Sequence, residues 1–285
     1  MVERPIFVIG CGRSGTTLLF NLLSNHPDVA ETTGYPDGED HIGWVKHGDC
    51  VMAGVGNVNS PMYEGGINGF HYCLHMTERD VTPEIKASMH DYYWHDVLKK
   101  NQTKRALNKT SHLSNKIGYL LEIFPDAKVV HIVRDCKAVV ASWLAVMEDH
   151  PSLVVYWPEE KYPCLWLMPR PTSATAARLL ATNERFYPGG SGKLFIEYWK
   201  SINLGIGEQF LGRESQLLRV KYEDLITSPS ETLSEINNFC ELEPYEYSVD
   251  HLLGNTSEKF RHLISSDLDT AIAEAVAEAN KQLGY

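Results

Sequence analysis

Four short segments of the chain are mostly apolar, and each has the length of a β-strand. Helical patterns separate them. This alternation is typical of a parallel sheet that is buried on both faces and joined by crossover helices. The predicted strands are residues 5–10, 105–108, 128–133 and 217–221.

Six helices are predicted between and after these strands. The last is the clearest, because apolar residues recur at helical spacing from Leu268 to Leu283 and Gly284 follows where a C-cap is expected. The helices are residues 16–25, 115–124, 138–147, 193–211, 229–240 and 267–283. Together the elements predict an α/β fold with a parallel sheet flanked by helices.

Two stretches interrupt this pattern. Residues 34–69 contain nine glycines among 36 residues, and residues 149–172 contain five prolines with several aromatic residues. Glycine and proline at such density predict irregular backbone. We therefore predict a single domain over residues 1–285 with two irregular insertions, at about 34–104 and 149–190. Long insertions of this kind are usually functional, so we expect them to form an acceptor site.

The charge balance narrows the classes of partner. With 26 Lys and Arg against 37 Asp and Glu, the formal net charge is −11, which argues against broad nucleic-acid binding. No apolar stretch is long enough to span a membrane, and the start of the chain lacks the pattern of a secretion signal. The six cysteines have neither CxxC spacing nor a zinc-ligand pattern. We expect a cytoplasmic protein with reduced thiols and no metal.

The segment from Gly10 to Leu19, GCGRSGTTLL, lies between a predicted strand and a predicted helix. Such a turn is an anion site, because free backbone N–H groups and the helix dipole both face the bound oxygens. Gly10 and Gly15 have P-loop spacing, so the sheet is P-loop-type, but Thr16 stands where a nucleotide triphosphatase carries lysine. Arg13 instead offers a planar fork of donors to a shorter anion.

A second polar pair follows the third predicted strand. Arg134 stands at its carboxyl end, and Ser142 lies eight residues further on, about two helical turns away. Both can therefore reach one ligand at the edge where α/β sheets bind ligands.

Four motifs together resemble the sulfotransferases that use 3′-phosphoadenosine 5′-phosphosulfate (PAPS), and most closely their tyrosylprotein branch. They are GCGRSGTTLL, NKTSH at 108–112, IFPDAKVVHIVRD at 123–135 with Ser142, and the final QLGY. The resemblance implies PAPS as donor, adenosine 3′,5′-bisphosphate (PAP) as product, no metal, and transfer of the sulfuryl group to a hydroxyl by in-line displacement. The acceptor is left open as a small molecule, a glycan or a tyrosine.

The resemblance also implies roles for single residues. It implies that the 5′-phosphosulfate is bound by Arg13, Ser14, Gly15, Thr16 and Thr17. It also implies that the 3′-phosphate is bound by Arg134 and Ser142. Tyr222 matches a position that contacts the donor near its 3′-phosphate or adenine. A late loop supplies further phosphate contacts, for which Ser257, Lys259 and Arg261 are candidates.

Catalysis needs cations at the transfer point and a base for the acceptor proton. Arg13 supplies one cation, and Lys109 matches a lysine with that role in the tyrosylprotein branch. The family's glutamate base would fall on Gly34, so this chain departs from the pattern. We predict Glu39 as the base, with His41, His112 and Glu31 as alternatives.

Two other functions compete with this interpretation. One is a P-loop kinase for small molecules, which Thr16 and Arg13 argue against. The other is a non-catalytic nucleotide-binding protein of the same fold, for which a cation at the transfer point has no use. The sequence does not indicate the oligomeric state.

Overall fold

The computed structural model describes residues 2–32, 39–49, 75–149, 153–156, 163–167, 192–249, 252 and 258–285. Its centre is a five-stranded, fully parallel sheet, and a separate antiparallel hairpin lies within the proline-rich stretch. The strands are β1 Ile6–Ile9, β2 Val29–Glu31, β3 Arg105–Lys109, β4 Lys128–Val133, hairpin strands β5 Leu153–Tyr156 and β6 Cys164–Leu167, and β7 Leu217–Lys221. Their order in the parallel sheet is β2-β3-β1-β4-β7.

Helices connect the strands and cover both faces of the sheet. They are α1 Thr16–Leu23, α2 His41–Gly48, α3 Pro83–Tyr92, α4 Ile117–Ile123, α5 Cys136–Asp149, α6 Gly192–Gln209, α7 Tyr222–Thr227, α8 Pro229–Cys240 and α9 Ser266–Leu283. Helix α3 continues as a π-helical segment, Tyr93–Lys99, and a 3₁₀ turn, Ser111–Asn115, follows β3.

The sheet separates two hydrophobic cores. On β1, Phe7 and Ile9 face a core shared with α3, α4, α5, α6 and α9, whereas Ile6 and Val8 face the core under α1 and α8. This alternation follows from the two-residue period of a strand. Both sets are fully buried, as expected for a central parallel strand.

All four predicted strands and all six predicted helices are confirmed, with shifts of one or two residues at most of their ends. Strand β2 was not predicted, because three residues at a sheet edge carry too little hydrophobic pattern. The first insertion is not irregular throughout, since residues 41–48 and 83–99 are helical.

Gly43 shows why the glycine-rich stretch misled the sequence reading. A Cβ at Gly43 would lie 2.4 Å from Asp40 Oδ1 and 2.6 Å from a Tyr92 ring carbon. This glycine therefore allows close packing inside a helix rather than irregular backbone. Within the described residues, no helix has the length and apolar character needed to cross a bilayer.

Candidate active site

The loop after β1 is pressed against its neighbours at two glycines. Gly10 has φ +154°, and a Cβ there would lie 2.5 Å from the Ile132 carbonyl oxygen of β4. Gly15 has φ +94°, and a Cβ there would lie 2.5 Å from the Tyr222 ring. A side chain at either position would displace backbone or a buried ring. The close contacts with β4 and with Tyr222 therefore require glycine at both positions, which accounts for the glycine spacing in the sequence.

The loop ends at the N-terminus of α1, as the sequence predicts. Helix α1 begins at Thr16, and Gly15 occupies its N-cap position without a side-chain cap. The first backbone N–H groups of the helix are therefore left for another acceptor. Ser14 is fully buried, and its hydroxyl has no hydrogen-bond partner among the described residues. These groups fit an oxyanion held within the loop.

A cavity of about 230 Å³ opens beside this loop, and two arginines approach each other at its wall. Arg13 Nε donates to Ser142 Oγ at 3.0 Å, and an Arg134 terminal nitrogen donates to the Arg13 carbonyl at 3.3 Å. The Arg134 guanidinium lies 4.2 Å from the Tyr222 ring centroid, a cation–π contact. The lining residues are Arg13, Gly15, Thr16, Thr17, Leu18, Arg134, Ser142 and Tyr222.

The electrostatics of this cavity favour an anion. Burial lowers the pKa of the Arg13 guanidinium, and the positive charge of Arg134 lowers it further. Two like charges held close together repel, and a shared anion removes the repulsion and supplies acceptors for both forks. The cavity thus brings together residues predicted to bind the 5′-phosphosulfate and residues predicted to bind the 3′-phosphate.

A second cavity, of about 280 Å³, adjoins the first along the start of α5. Asp135 caps that helix by accepting from Ala138 N at 2.8 Å. Glu223 accepts from Asp135 N at 3.1 Å and from the Tyr285 hydroxyl at 2.8 Å. The turn that carries Arg134 is therefore tied to the final residues of α9 and its cap, including the QLGY motif.

Glu39 and Lys109 form a buried ion pair at the carboxyl end of β3. Lys109 Nζ donates to Glu39 Oε1 at 2.9 Å, and the two side chains are 3% and 9% exposed. Ser111 also donates to this carboxylate, through its backbone N–H at 3.0 Å and its hydroxyl at 3.1 Å. The carboxylate is thereby fixed in one orientation.

Glu39 pairs with β3 out of register with strand β2. Glu31 pairs with Leu107 in the β2–β3 register, so an unbroken strand would set residue 33 opposite Lys109. Glu39 pairs with Lys109 instead, in parallel. Residues 33–38 lie outside the described residues.

The 3₁₀ turn Ser111–Asn115 connects this pair to the phosphate loop. Ser111, at its start, bonds to Glu39. Ser114 Oγ accepts from Gly10 N and donates to the Gly10 carbonyl, both at 3.2 Å. The ion pair and the loop therefore lie on two adjacent strands and are fixed to one another.

Comparison with known proteins agrees with this geometry. The model of a sulfotransferase family matches residues 5–166, which is more than half of the chain and includes β1, its loop, Lys109, Arg134 and Ser142. The chain belongs to the sulfotransferase family. The predicted resemblance to the sulfotransferase family and the predicted α/β fold class are confirmed.

Three curated relatives are similar to this sulfotransferase-family chain. An uncharacterised protein of Aquifex aeolicus is 26% identical over 87% of this chain and 26% of its own length. A putative protein-tyrosine sulfotransferase of Caenorhabditis briggsae is 21% identical over 87% of this chain and 69% of its own length. A protein-tyrosine sulfotransferase of Drosophila melanogaster is 30% identical over 49% of this chain and 25% of its own length. The chain thus spans about a quarter of the first and third relatives.

Two solved structures have the same fold. The sulfotransferase domain from the curacin biosynthetic pathway has a TM-score of 0.51 and 15% identity, covering 99% of this chain and 98% of that one. A sulfotransferase from Alicyclobacillus acidocaldarius has a TM-score of 0.50 and 15% identity, covering 100% and 97%.

The four candidate bases of this sulfotransferase-family chain have different surroundings. Glu39 contacts Lys109. Glu31 is exposed at the end of β2, and His112 is half-buried within the 3₁₀ turn. His41 begins α2, and its side chain lies outside the described residues.

The late-loop candidates also separate. Lys259 is exposed, with its ammonium 5.0 Å from the Phe260 ring centroid, and it does not line the Arg13 cavity. Arg261 lines the adjoining cavity and pairs with Glu258 at 2.5 Å. Ser257 lies outside the described residues.

Several residues of the site could not be predicted from the sequence. Ser111 and Ser114 stand within or just after NKTSH, but a serine in a turn carries no signal for its partner. Glu223 follows Tyr222 directly, and only the fold brings it to Asp135.

Proposed function

We propose that this protein transfers the sulfuryl group of PAPS to a hydroxyl of a small, neutral or hydrophobic acceptor. The observation that carries the proposal is the buried Lys109 and Glu39 pair, held beside a phosphate loop that lacks the P-loop lysine. A buried ion pair is costly to desolvate and is a poor source of stability. A site that moves a proton and stabilises transferred charge needs both groups.

The donor would lie across the two adjoining cavities. In this proposal the loop residues Ser14 to Thr17 hold the 5′-phosphosulfate. Arg13, Arg134 and Ser142 surround the neighbouring 3′-phosphate, and the Tyr222 ring holds the Arg134 guanidinium through the cation–π contact. Arg261 is a better placed late-loop contact than Lys259, since it lines the adjoining cavity. The Arg13 side chain then serves donor binding more directly than transfer.

The proposed transfer uses Glu39 and Lys109, which lie side by side at the reacting centre. The acceptor oxygen forms a bond to sulfur as the bond from sulfur to the 5′-phosphate oxygen breaks. Glu39 takes the proton of the acceptor hydroxyl. Lys109 donates hydrogen bonds to the oxygens on which negative charge accumulates. The residues require no metal for these steps, and no cluster of three or more potential metal ligands occurs among the described residues.

Calorimetry tests the donor. We expect the protein to bind PAP without a metal and to bind ATP with Mg²⁺ far more weakly, because Thr16 replaces the lysine that grips a β/γ-phosphate. Arg134→Gln should weaken PAP binding by about 10- to 100-fold, the usual value of hydrogen bonds to a charged group. Arg213→Gln is the matched control, because Arg213 is exposed and does not line either cavity. Preference for ATP with Mg²⁺ would instead favour the kinase interpretation.

An acceptor screen with labelled PAPS tests the substrate class. We expect phenols and aliphatic alcohols to be sulfated faster than tyrosine peptides flanked by Asp and Glu. The reason is electrostatic, since a chain with net charge −11 repels acidic peptides at low ionic strength. The matched control is the same peptide with Asn and Gln in place of its acidic residues. Faster sulfation of the acidic peptide would refute a neutral acceptor and favour the activity for which the two named relatives are known.

We also propose a cytoplasmic setting. The thiols of Cys11, Cys136 and Cys240 are buried and free, which fits a reducing compartment. Burial raises the pKa of the Cys240 thiol to about 12, so this thiol stays protonated and unreactive.

A further inference from the structure

Asp40 directly follows the proposed base and is fully buried. Its backbone N–H donates to Thr110 Oγ1 at 3.2 Å, and Glu39 pairs with Lys109, so the backbone at both residues is held against β3 and the residue after it. Its carboxylate is the N-cap of α2, where Oδ1 accepts from Gly43 N at 3.0 Å. Asp40 therefore ties the segment carrying Glu39 to both a strand and a helix.

Two further side chains donate to this carboxylate. Tyr92, from the end of α3, donates its hydroxyl to Oδ1 at 3.0 Å. Asn108, the residue before Lys109, donates its amide to Oδ2 at 3.3 Å and to Thr32 Oγ1 at 3.0 Å. Donors from three elements thus converge on one carboxylate, an arrangement that an ionised group satisfies best.

This arrangement does not serve stability at neutral pH. Burial raises the pKa of the Asp40 carboxyl to about 7, although the bonds from Tyr92, Gly43 and Asn108 lower it. A carboxyl whose pKa is higher in the folded chain than in the unfolded one destabilises the fold as it ionises. Stability is therefore lost as pH rises from about 4 to about 7.

We propose that ionised Asp40 is a positioning residue that holds Glu39 in its contact with Lys109 and Ser111. This inference rests on the proposed function. A protonated Asp40 would bring its own O–H against donors that already point at both oxygens. Protonation also removes the negative charge that strengthens the bonds from Tyr92, Gly43 and Asn108, which loosens the segment that carries Glu39. The protein would lose activity on acidification through this residue.

The other charged and titratable groups around Asp40 come from four segments. Glu39 is on its own segment and Lys109 is on β3. Tyr92 and Tyr93 come from α3 and its π-helical continuation, and the pKa of both is raised by burial first and by ionised Asp40 second. From α2, His47 stacks on Tyr92 with ring centroids 4.7 Å apart. Of these side chains, Tyr92 donates directly to the carboxylate, so it is the residue to change.

Hydrogen exchange of the Ser111 amide measures the position of Glu39 without any turnover, because this N–H donates to Glu39 Oε2. We expect its protection in the wild-type protein to fall as pH drops through the titration of Asp40. Tyr92→Phe removes one bond to the ionised carboxylate and should move that fall upward by about one pH unit. Tyr247→Phe is the matched control, since it loses a buried hydroxyl bond to Asn237, outside the site, and should leave the transition in place.

The kcat profile supplies the second measurement. Its acidic limb should move upward by the same amount in Tyr92→Phe and stay in place in Tyr247→Phe. Asp40→Asn should remove the pH transition in Ser111 protection altogether. Unchanged Ser111 protection across the Asp40 titration, or the same midpoint in wild type and Tyr92→Phe, would overturn the inference. Absence of sulfuryl transfer by the wild-type protein would overturn the proposed function, and the exchange data would still decide the role of Asp40.

Discussion

Glu39→Gln should lower kcat by about 10²- to 10⁴-fold, the usual contribution of a positioned general base. Glutamine keeps an oxygen that can accept from Lys109 and Ser111, so the local structure should survive while proton transfer is lost. The affinity for PAP should change by less than about threefold, because Glu39 does not line the Arg13 cavity. Initial rates with saturating PAPS, together with PAP calorimetry, measure both quantities.

Glu31→Gln and His112→Ala are the matched controls for this result. Glu31 is exposed at the end of β2, and His112 is half-buried in the 3₁₀ turn. Both variants should keep kcat within about threefold of wild type. A Glu39→Gln enzyme with near-normal kcat, beside a His112→Ala enzyme that has lost activity, would reassign the base to His112.

Lys109→Met should lower kcat by about 10²- to 10³-fold, comparable to the loss of one donor from an oxyanion hole. The charge is needed where negative charge grows during transfer, so PAP affinity should fall much less than kcat. Lys109→Arg keeps the charge with different geometry and should recover part of the rate. The rates are compared at a temperature well below the melting temperature of each variant.

The buried position of the pair requires a stability control. Removing one member of a buried ion pair typically costs about 3–5 kcal/mol, because the other charge is left uncompensated. The double variant Glu39→Gln with Lys109→Met should therefore melt above Lys109→Met alone and remain as inactive. A Lys109→Met enzyme that stays folded and keeps full kcat would exclude the proposed role. Lys86→Met, which removes an exposed pair with Glu122, should change neither stability nor rate appreciably.

Most of the fold could be predicted because its central strands carry the period and composition of buried parallel strands. Strand β2 could not, since its three residues at the sheet edge carry too little hydrophobic pattern. Helix α2 was hidden for another reason. Glycine usually disfavours a helix, so the sequence pattern does not predict one here. Gly43 nevertheless lies within α2, where Asp40 and Tyr92 leave no room for a side chain.

The candidate donor site has a clearer sequence signal than the candidate base. Arg13, Thr16, Arg134 and Ser142 stand at fixed distances along the chain from recognisable strands, and the resemblance to the sulfotransferases supplies their roles. Spacing along the sequence does not give the number of residues between β2 and the residue that pairs with Lys109. Several candidates for the base therefore stayed open. The pairing of residue 39 with Lys109 depends on where the chain rejoins the sheet. No local pattern encodes that point.

The short turn Ser111–Asn115 has a consequence for engineering. Ser111 holds the proposed base Glu39 and Ser114 holds the start of the phosphate loop, so we expect a substitution there to alter acceptor activation and donor binding together. Variants selected for a new acceptor should therefore keep residues 111–115 unchanged and draw their diversity from the two insertions. A library built this way separates substrate choice from the chemistry of transfer.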